Sequence, residues 1–197
     1  MEYKDKMFLI DELKGQEFTD CKFVKCVFTG TNLRFTSFEK CIFHTCDFSS
    51  AVFDMTLFNN CAFPESKVSN IEFSQVQIKR CNFYRTVMKN CVLQQLRAGS
   101  KNDRKKFDLS HCVFEDADLS GAIFSLCELK FANFKSANLE NVIFEKCNLK
   151  EANLMNANIA GTNFIDCKVE KTILNLESFI AFGNSKGFIL EEPTIQL

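Results

Sequence analysis

A large apolar residue returns at every fifth position along most of this 197-residue chain. Between Cys112 and Lys168 the pattern is unbroken, and its positions are Leu119, Phe124, Leu129, Phe134, Leu139, Phe144, Leu149, Leu154, Ile159 and Phe164. An α-helix repeats near 3.6 residues and a strand near 2, so a strict period of five fits neither element alone. The pattern therefore predicts a solenoid, in which a short unit buries its inward residues by stacking on copies of itself.

A second inward position lies two residues before each of these large apolar residues. Small or thiol-bearing side chains occupy it, as at Ala117, Ala122 and Ala152. All eleven cysteines fall in this position: Cys21, Cys26, Cys41, Cys46, Cys61, Cys81, Cys91, Cys112, Cys127, Cys147 and Cys167. Free cysteine behaves as a small hydrophobic residue and is among the most buried residue types. The spacing therefore predicts thiols that pack inside the solenoid.

The same period runs from Phe18 to Leu93 and is interrupted before Leu109, sixteen residues later. We expect six inserted residues in an exposed loop, because polar insertions are not threaded through a packed core. This count places Leu109 on the face that carries Phe83, and it aligns the cysteines of the two halves, with Phe107 between them, in one column.

These boundaries divide the chain into five predicted segments. They are an N-terminal cap at 1–17, a first set of coils at 18–98, a loop at 99–106, a second set of coils at 107–176, and a C-terminal cap and dimerisation segment at 177–197. Near the end, Asn175 is expected to cap a short helix and Gly183 to end it.

Composition and charge agree with this interpretation. Seventeen of the 23 phenylalanines fall on the five-residue period, which makes them core residues rather than a ligand-stacking surface. An odd number of cysteines and no recognisable signal peptide favour a reducing cytoplasm, and the apolar run at 7–10 is too short to span a bilayer. A net charge of −1 with interspersed signs gives no strong field for steering nucleic acid.

Several five-residue units have the form Ala-(Asp or Asn)-Leu, as at 117–119, 137–139 and 152–154, with Ala157-Asn158-Ile159 as a variant. In this the chain resembles the pentapeptide-repeat family over nearly its whole length. The resemblance implies an all-β solenoid, a right-handed quadrilateral β-helix with one pentapeptide per side and about twenty residues per coil. On this basis about eight coils form a rod on the order of 38 Å long.

The sequence carries no recognisable catalytic or metal-binding constellation. The cysteines recur at spacings of five and twenty, which place them along a wall, whereas zinc and iron–sulfur sites need thiolates that converge. His44 and His111 do not occupy inward positions. No phosphate-binding or nucleophile motif is present. We therefore expect no cofactor, no metal and no enzymatic activity.

Three exposed features are the candidate partner-binding sites. The first is the charged loop, with Lys101, Asp103, Arg104, Lys105 and Lys106. The second is the pair Phe35 and Phe131, which lie two residues after a period position and so should face solvent. The third is the apolar C-terminal segment with Phe179, Ile180, Phe182, Phe188, Ile189 and Leu190, which needs cover from its own last coil or from a second subunit.

The family resemblance also suggests a function. Bacterial pentapeptide-repeat proteins of this length include the quinolone-resistance (Qnr-type) proteins, which are dimers joined at their C-terminal ends, mimic duplex DNA, and protect DNA gyrase or topoisomerase IV. The resemblance thus implies a topoisomerase partner and a homodimer. A structural or scaffold protein that binds another partner is the alternative, since the repeat specifies a fold and not a partner. Direct nucleic-acid binding is disfavoured, because the basic loop is short.

Overall fold

The computed structural model describes residues 1–94 and 106–189. They form an all-β solenoid of about eight turns with one C-terminal helix. The helix is α1 (Leu176–Ser185). The strands are β1 (Glu2–Lys4), β2 (Glu17–Thr19), β3 (Lys22–Val24), β4 (Ser37–Glu39), β5 (Ile42–His44), β6 (Leu57–Asn59), β7 (Glu72–Phe73), β8 (Gln77–Lys79), β9 (Val92–Gln94), β10 (Phe107–Asp108), β11 (Ile123–Ser125), β12 (Cys127–Glu128), β13 (Ile143–Glu145) and β14 (Asn163–Ile165).

Each coil has four faces, and parallel strands twenty residues apart pair along them. Face 1 contains β1, β3 and β5; face 3 contains β7, β9, β11, β13 and β14; face 4 contains two separate sheets, β2-β4-β6-β8 and β10-β12. Face 2 is a ladder of single bridges that begins at Met7 and Val27. All pairings are parallel because the chain advances by one coil before it returns to the same face.

A left-handed residue at every fifth position makes the corners between faces. In one coil these residues are Asp20, Lys25, Gly30 and Phe35, with φ values of 51°, 52°, 68° and 61°. Only glycine adopts this conformation without a steric penalty, and asparagine and aspartate tolerate it better than other residues. Four such corners per coil explain why a five-residue unit builds a four-sided solenoid.

The large apolar residues of each face stack in columns along the axis. On face 1, Tyr3, Phe23, Phe43, Phe63, Phe83, Phe114 and Phe134 form an unbroken column with ring centroids 4.8–5.2 Å apart. Rings on neighbouring faces meet edge to face, as Phe38 and Phe43 do at 5.1 Å. Both geometries are favourable for aromatic pairs. The prediction that phenylalanine forms the core is confirmed.

The second inward position carries a hydrogen-bond donor in many units. Its hydroxyl or thiol donates to the backbone carbonyl 23 residues earlier, on the preceding face of the previous coil. Examples are Thr36 Oγ1 to Leu13 O at 2.8 Å, Ser66 Oγ to Phe43 O at 2.7 Å and Cys41 Sγ to Phe18 O at 3.4 Å. The slot therefore favours small donors because they satisfy a buried carbonyl.

The predicted count of six inserted residues is wrong. Asn82 pairs with Val113 and Val87 with Asp118, so the coils on either side of the interruption are offset by 31 residues instead of twenty. Eleven residues are therefore inserted. Phe114, not Leu109, follows Phe83 on face 1, and Leu109 belongs to face 4. Consequently Cys81 and Cys127 lie on different faces, and the predicted single cysteine column does not form.

The two ends of the solenoid differ in construction. The segment expected to be an N-terminal cap, 1–17, is built as a coil: β1 pairs with β3, and Phe8 and Leu13 are buried. At the other end, α1 follows the last coil. Within the described residues no helix is both long and apolar enough to cross a membrane.

The predicted signals for the helix ends are only partly correct. Asn175 precedes α1, but its side chain makes no capping bond; its Oδ1 accepts from the backbone N–H of Asn156 at 2.9 Å. The helix continues through Gly183 and ends at Gly187, which has a φ of 87°. There the N–H of Phe188 donates to Gly183 O and the N–H of Gly187 to Asn184 O, the pair of bonds that defines a Schellman motif.

Candidate protein-binding surfaces

The predicted charged loop lies largely outside the described residues. Lys101, Asp103, Arg104 and Lys105 belong to the segment 95–105, whereas Lys106 is described and half-buried. The described chain leaves face 3 at the end of β9 and resumes on face 4 just before β10. The inserted segment therefore joins two adjacent faces at one corner of the rod.

The same corner carries an exposed apolar pair that the sequence only partly indicated. Phe35 is 59% exposed, as predicted, and Met55 stands one coil further along the same corner, also 59% exposed. Both residues are left-handed, with φ values of 61° and 55°. A bulky side chain at such a position carries a backbone cost of roughly 1–2 kcal/mol and gains nothing by burial. The fold does not explain these side chains, so they are candidate contacts.

Phe131 is 46% exposed, also as predicted, but it lies at the corner between faces 4 and 1. The structure therefore does not bring it together with Phe35. Its ring stacks on the imidazole of His111, one coil earlier, with centroids 4.9 Å apart and an interplanar angle of 16°. The sequence did not indicate this pair, because its members are twenty residues apart and both occupy outward positions.

Part of the C-terminal apolar cluster is used within the chain. Phe182 contacts Phe164 of the last coil edge to face at 5.9 Å, and the buried hydroxyl of Ser178 donates to Ala157 O at 2.8 Å. Phe179, Phe188 and Ile189 remain exposed, and Ile180 is half-buried. Together with Phe182 these residues line an apolar groove of about 270 Å³. Leu190 lies outside the described residues.

The last coil adds exposed apolar residues that were not predicted. Ile165, Val169, Ile173 and Leu176 are all exposed. Val169 occupies a period position that is buried in every earlier coil of face 4, and its exposure follows because no further coil stacks on it. Helix α1 thus covers only part of the open end. The apolar surface available there is larger than the six residues chosen from the sequence.

The interior offers thiols in an unreactive state. Ten of the eleven cysteines are buried and Cys167, in the last coil, is half-buried. Burial raises the pKa of Cys91 to about 11 and that of Cys112 to about 12. Since the thiolate is the nucleophile and the metal ligand, these cysteines are protonated and inert near neutral pH. In the described chain, no cluster of histidine, cysteine and carboxylate groups could hold a metal ion.

The outer faces carry ion pairs that cancel charge locally. Several connect adjacent coils, such as Arg34 with Asp54 and Lys150 with Glu170. Such exposed pairs contribute little stability, about 0–1 kcal/mol each. Their main consequence is a surface of alternating sign.

The fold and its surfaces define a class of protein: a parallel β-solenoid of five-residue units with an aromatic core, whose recognition features lie on its outside. The sequence matches the family profile described as a pentapeptide repeat region over residues 16–93. It also matches the profile described as pentapeptide repeats (8 copies) over 108–145 and 144–175. The chain belongs to the pentapeptide-repeat family.

Solved structures with a similar fold include QnrB1, described as a plasmid-mediated fluoroquinolone resistance protein. Full-length QnrB1 is 17% identical, with 95% of this chain and 97% of that chain covered and a TM-score of 0.58. A trypsin-treated form is 16% identical, with 98% and 99% covered and a TM-score of 0.55. At these identities the likeness concerns the fold. No curated protein matches the sequence.

Proposed function

We propose that this protein binds DNA gyrase or topoisomerase IV and protects the enzyme from fluoroquinolones by mimicking the shape of duplex DNA. One observation carries the proposal: the fold similarity to QnrB1 extends over 95% or more of both chains. A shared domain within two different proteins would leave large parts of one chain unmatched. A topoisomerase partner goes with a cytoplasmic location.

The exposed C-terminal end supports a dimer in this role. Phe179, Phe188, Ile189 and the last-coil residues Ile165 and Val169 form an apolar surface at one end of the rod. Two copies that meet at this end about a two-fold axis cover the surface of both subunits. Such a dimer doubles the length of the rod and presents a longer DNA-like surface.

The contact surface that we propose is the corner between faces 3 and 4. Phe35 and Met55 are exposed along this corner, and the inserted segment leaves from it one coil beyond Gln75. The charged residues Lys101, Asp103 and 104–106 then add specificity to the general shape of the rod. Phe131 stands on a different corner and serves as the alternative contact.

A scaffold protein for a different partner is the second candidate, and the surface charge favours it. The chain carries 24 basic and 25 acidic residues, and its ion pairs alternate over the outer faces. A surface that imitates the phosphate backbone of DNA would be strongly acidic. The same balance of charge, with only a short basic loop, disfavours direct binding of nucleic acid.

A DNA gyrase supercoiling assay, with and without a fluoroquinolone, distinguishes the two candidates. We expect the protein to restore supercoiling in the presence of the drug. Deletion of residues 95–105 joins Gln94 to Lys106 and restores the spacing of five between Leu93 and Leu109, so this variant should fold and protect less well. Lys40→Ala, an exposed change away from both corners with apolar side chains, is the matched control.

No effect of the full-length protein on gyrase or topoisomerase IV at any concentration would exclude the topoisomerase function and favour the scaffold. Protection by the wild type and equally by the deletion variant would retain the function but exclude the inserted segment as the contact. In that case Phe35→Asn and Phe131→Asn, which are compatible with a left-handed backbone, locate the contact corner.

A further inference from the structure

The parallel ladder of face 4 is interrupted between β8 and β10. The 31-residue offset places Ile78 opposite Leu109, yet no backbone hydrogen bond between described residues joins the two strands. Across the same pair of coils the other three faces are continuous, through Asn82–Val113, Val87–Asp118 and the pairing of β9 with β11. We call this interruption the seam.

The corner residues that follow face 4 show the same break. Each donates its backbone N–H to the next coil: Asp20 to Glu39 O, Lys40 to Asn59 O, Asn60 to Lys79 O, His111 to Lys130 O, Phe131 to Lys150 O and Glu151 to Glu170 O. Arg80 is the exception, because it donates no backbone hydrogen bond to any described residue. The strand edge of β8 at the seam therefore presents backbone N–H groups, at Ile78 and Arg80, that the ladder does not use.

A large side chain explains why the ladder opens here. The second inward position of face 4 holds Thr36, Thr56 and Val76 before the seam and Cys127 after it, whereas β10 places Phe107 there. Phe107 is buried, so its ring occupies core space that a small side chain fills in the other coils. Close packing leaves no spare volume for the ring, and β10 lies apart from β8 as a result.

Two adjoining clefts open on the seam. The larger one, of about 510 Å³, is lined by Asn60, Lys79, Arg80, Asp108 and His111, among others. The smaller one, of about 330 Å³, is lined by Lys79, Asp108 and Lys106. Both are polar, and both lie on an outer face of the rod, where a ligand can reach them.

The clefts are positively charged. Lys79, Arg80 and Lys106 form no ion pair with a described carboxylate, whereas Lys89 pairs with Asp118 at 2.9 Å in the adjacent coil. Asp108 is the one carboxylate that lines the clefts. Three cations and one anion leave an excess of two positive charges, with His111 counted as neutral.

We propose that the seam binds a phosphate group, either as inorganic phosphate or as the phosphate of a phosphomonoester. A dianion matches the excess charge of the clefts. The arginine guanidinium provides a planar pair of donors suited to phosphate oxygens, and lysine provides a second cation. The backbone N–H groups of Ile78 and Arg80 are additional donors of the kind found in anion-binding sites. This site is independent of the proposed topoisomerase function.

Amide NMR on the full chain tests the proposal with three probes at equal ionic strength: inorganic phosphate, phenyl phosphate and chloride. We expect saturable shifts of the Ile78 and Arg80 amides with at least one phosphate probe and not with chloride. The probe that binds more tightly identifies the free anion or the ester as the ligand type.

Replacement of Lys79 and Arg80 by alanine should weaken binding roughly tenfold or more, as expected when two charge-assisted contacts are lost. Lys40→Ala is the matched control, because Lys40 occupies the corner position of Arg80 two coils earlier on an intact ladder. Equal shifts with chloride, no shift with either phosphate probe, or unchanged binding by the double variant would each overturn the proposal. Unchanged amide shifts elsewhere in the double variant show that it is folded.

Discussion

Phe43 lies in the middle of the face 1 column, and its removal is the most direct test of the packing. Its ring is fully buried and stacks on Phe23 and Phe63 at 4.9 Å on both sides. Phe43→Ala should lower the free energy of unfolding by about 3–5 kcal/mol, since truncation of a buried phenylalanine leaves a cavity. Two stacked neighbours place the loss toward the upper end, because each aromatic pair adds roughly 0.5–1.5 kcal/mol beyond burial.

Urea unfolding followed by far-UV circular dichroism measures this loss, and thermal unfolding provides a second reading. For a chain of this size 1 kcal/mol corresponds to about 2–4 °C, so Tm should fall by roughly 6–20 °C. Phe35→Ala removes the same side chain from an exposed corner and should change stability by no more than about 0.5 kcal/mol. A loss below about 1 kcal/mol for Phe43→Ala, or equal losses for both variants, would refute the column.

Four further predictions follow from particular side chains. A thiol reagent should label native protein slowly, with Cys167 first, and should count eleven thiols after denaturation; rapid labelling of several would contradict the inward positions. Because burial raises the pKa of Cys91 from 9.0 to about 11, the folded protein keeps a proton that the unfolded chain releases, so stability should fall as pH rises from 9 to 11 and Cys91→Ala should reduce that slope in urea titrations. Light scattering should show a dimer that Phe179→Asp dissociates, and a monomeric wild type would exclude the C-terminal interface. Phe107→Val should close the seam, seen as slower hydrogen exchange of the Arg80 amide, and unchanged exchange would mean that the ring does not hold the strands apart.

The five-residue period predicted most of the core because the rule is local. A residue on the period is inward whatever coil it belongs to, so the burial of Phe23, Leu129 or Phe144 follows from its position relative to its immediate neighbours. The exposure of Phe35 and Phe131 follows from the same rule. Features that depend on contact between coils, such as the stacking of His111 on Phe131, require the register and could not be obtained in this way.

The ends of the rod also limit a local rule. Val169 fits the period as well as any inner residue, yet it is exposed because nothing stacks on it. Gly183 resembles a helix terminator in the sequence, but the helix continues through it to Gly187, where the turn to a left-handed residue satisfies the last carbonyls. In both cases the deciding contacts are made with residues beyond the local pattern.

The number of inserted residues shows why the register itself was not predictable. The prediction assumed that cysteines stack on cysteines, and it chose six residues to align Cys81 with Cys127. In the structure a thiol and a hydroxyl serve equally in the second inward position, because each donates to the carbonyl 23 residues earlier. Residue identity in that slot therefore carries no information about the column.

The hydrogen bond of Cys127 provides the missing information. Its thiol donates to Leu93 O at 3.1 Å, and that carbonyl lies 34 residues earlier in the chain instead of 23. The difference of eleven is the length of the insertion, and it places Cys127 on face 4 in the column of Val76 and Phe107. A contact between coils thus determines what a five-residue period cannot, since insertions of one, six and eleven residues all preserve the period. The same shift brings Phe107 opposite Val76, and so the unpredicted register and the seam on face 4 have a common origin.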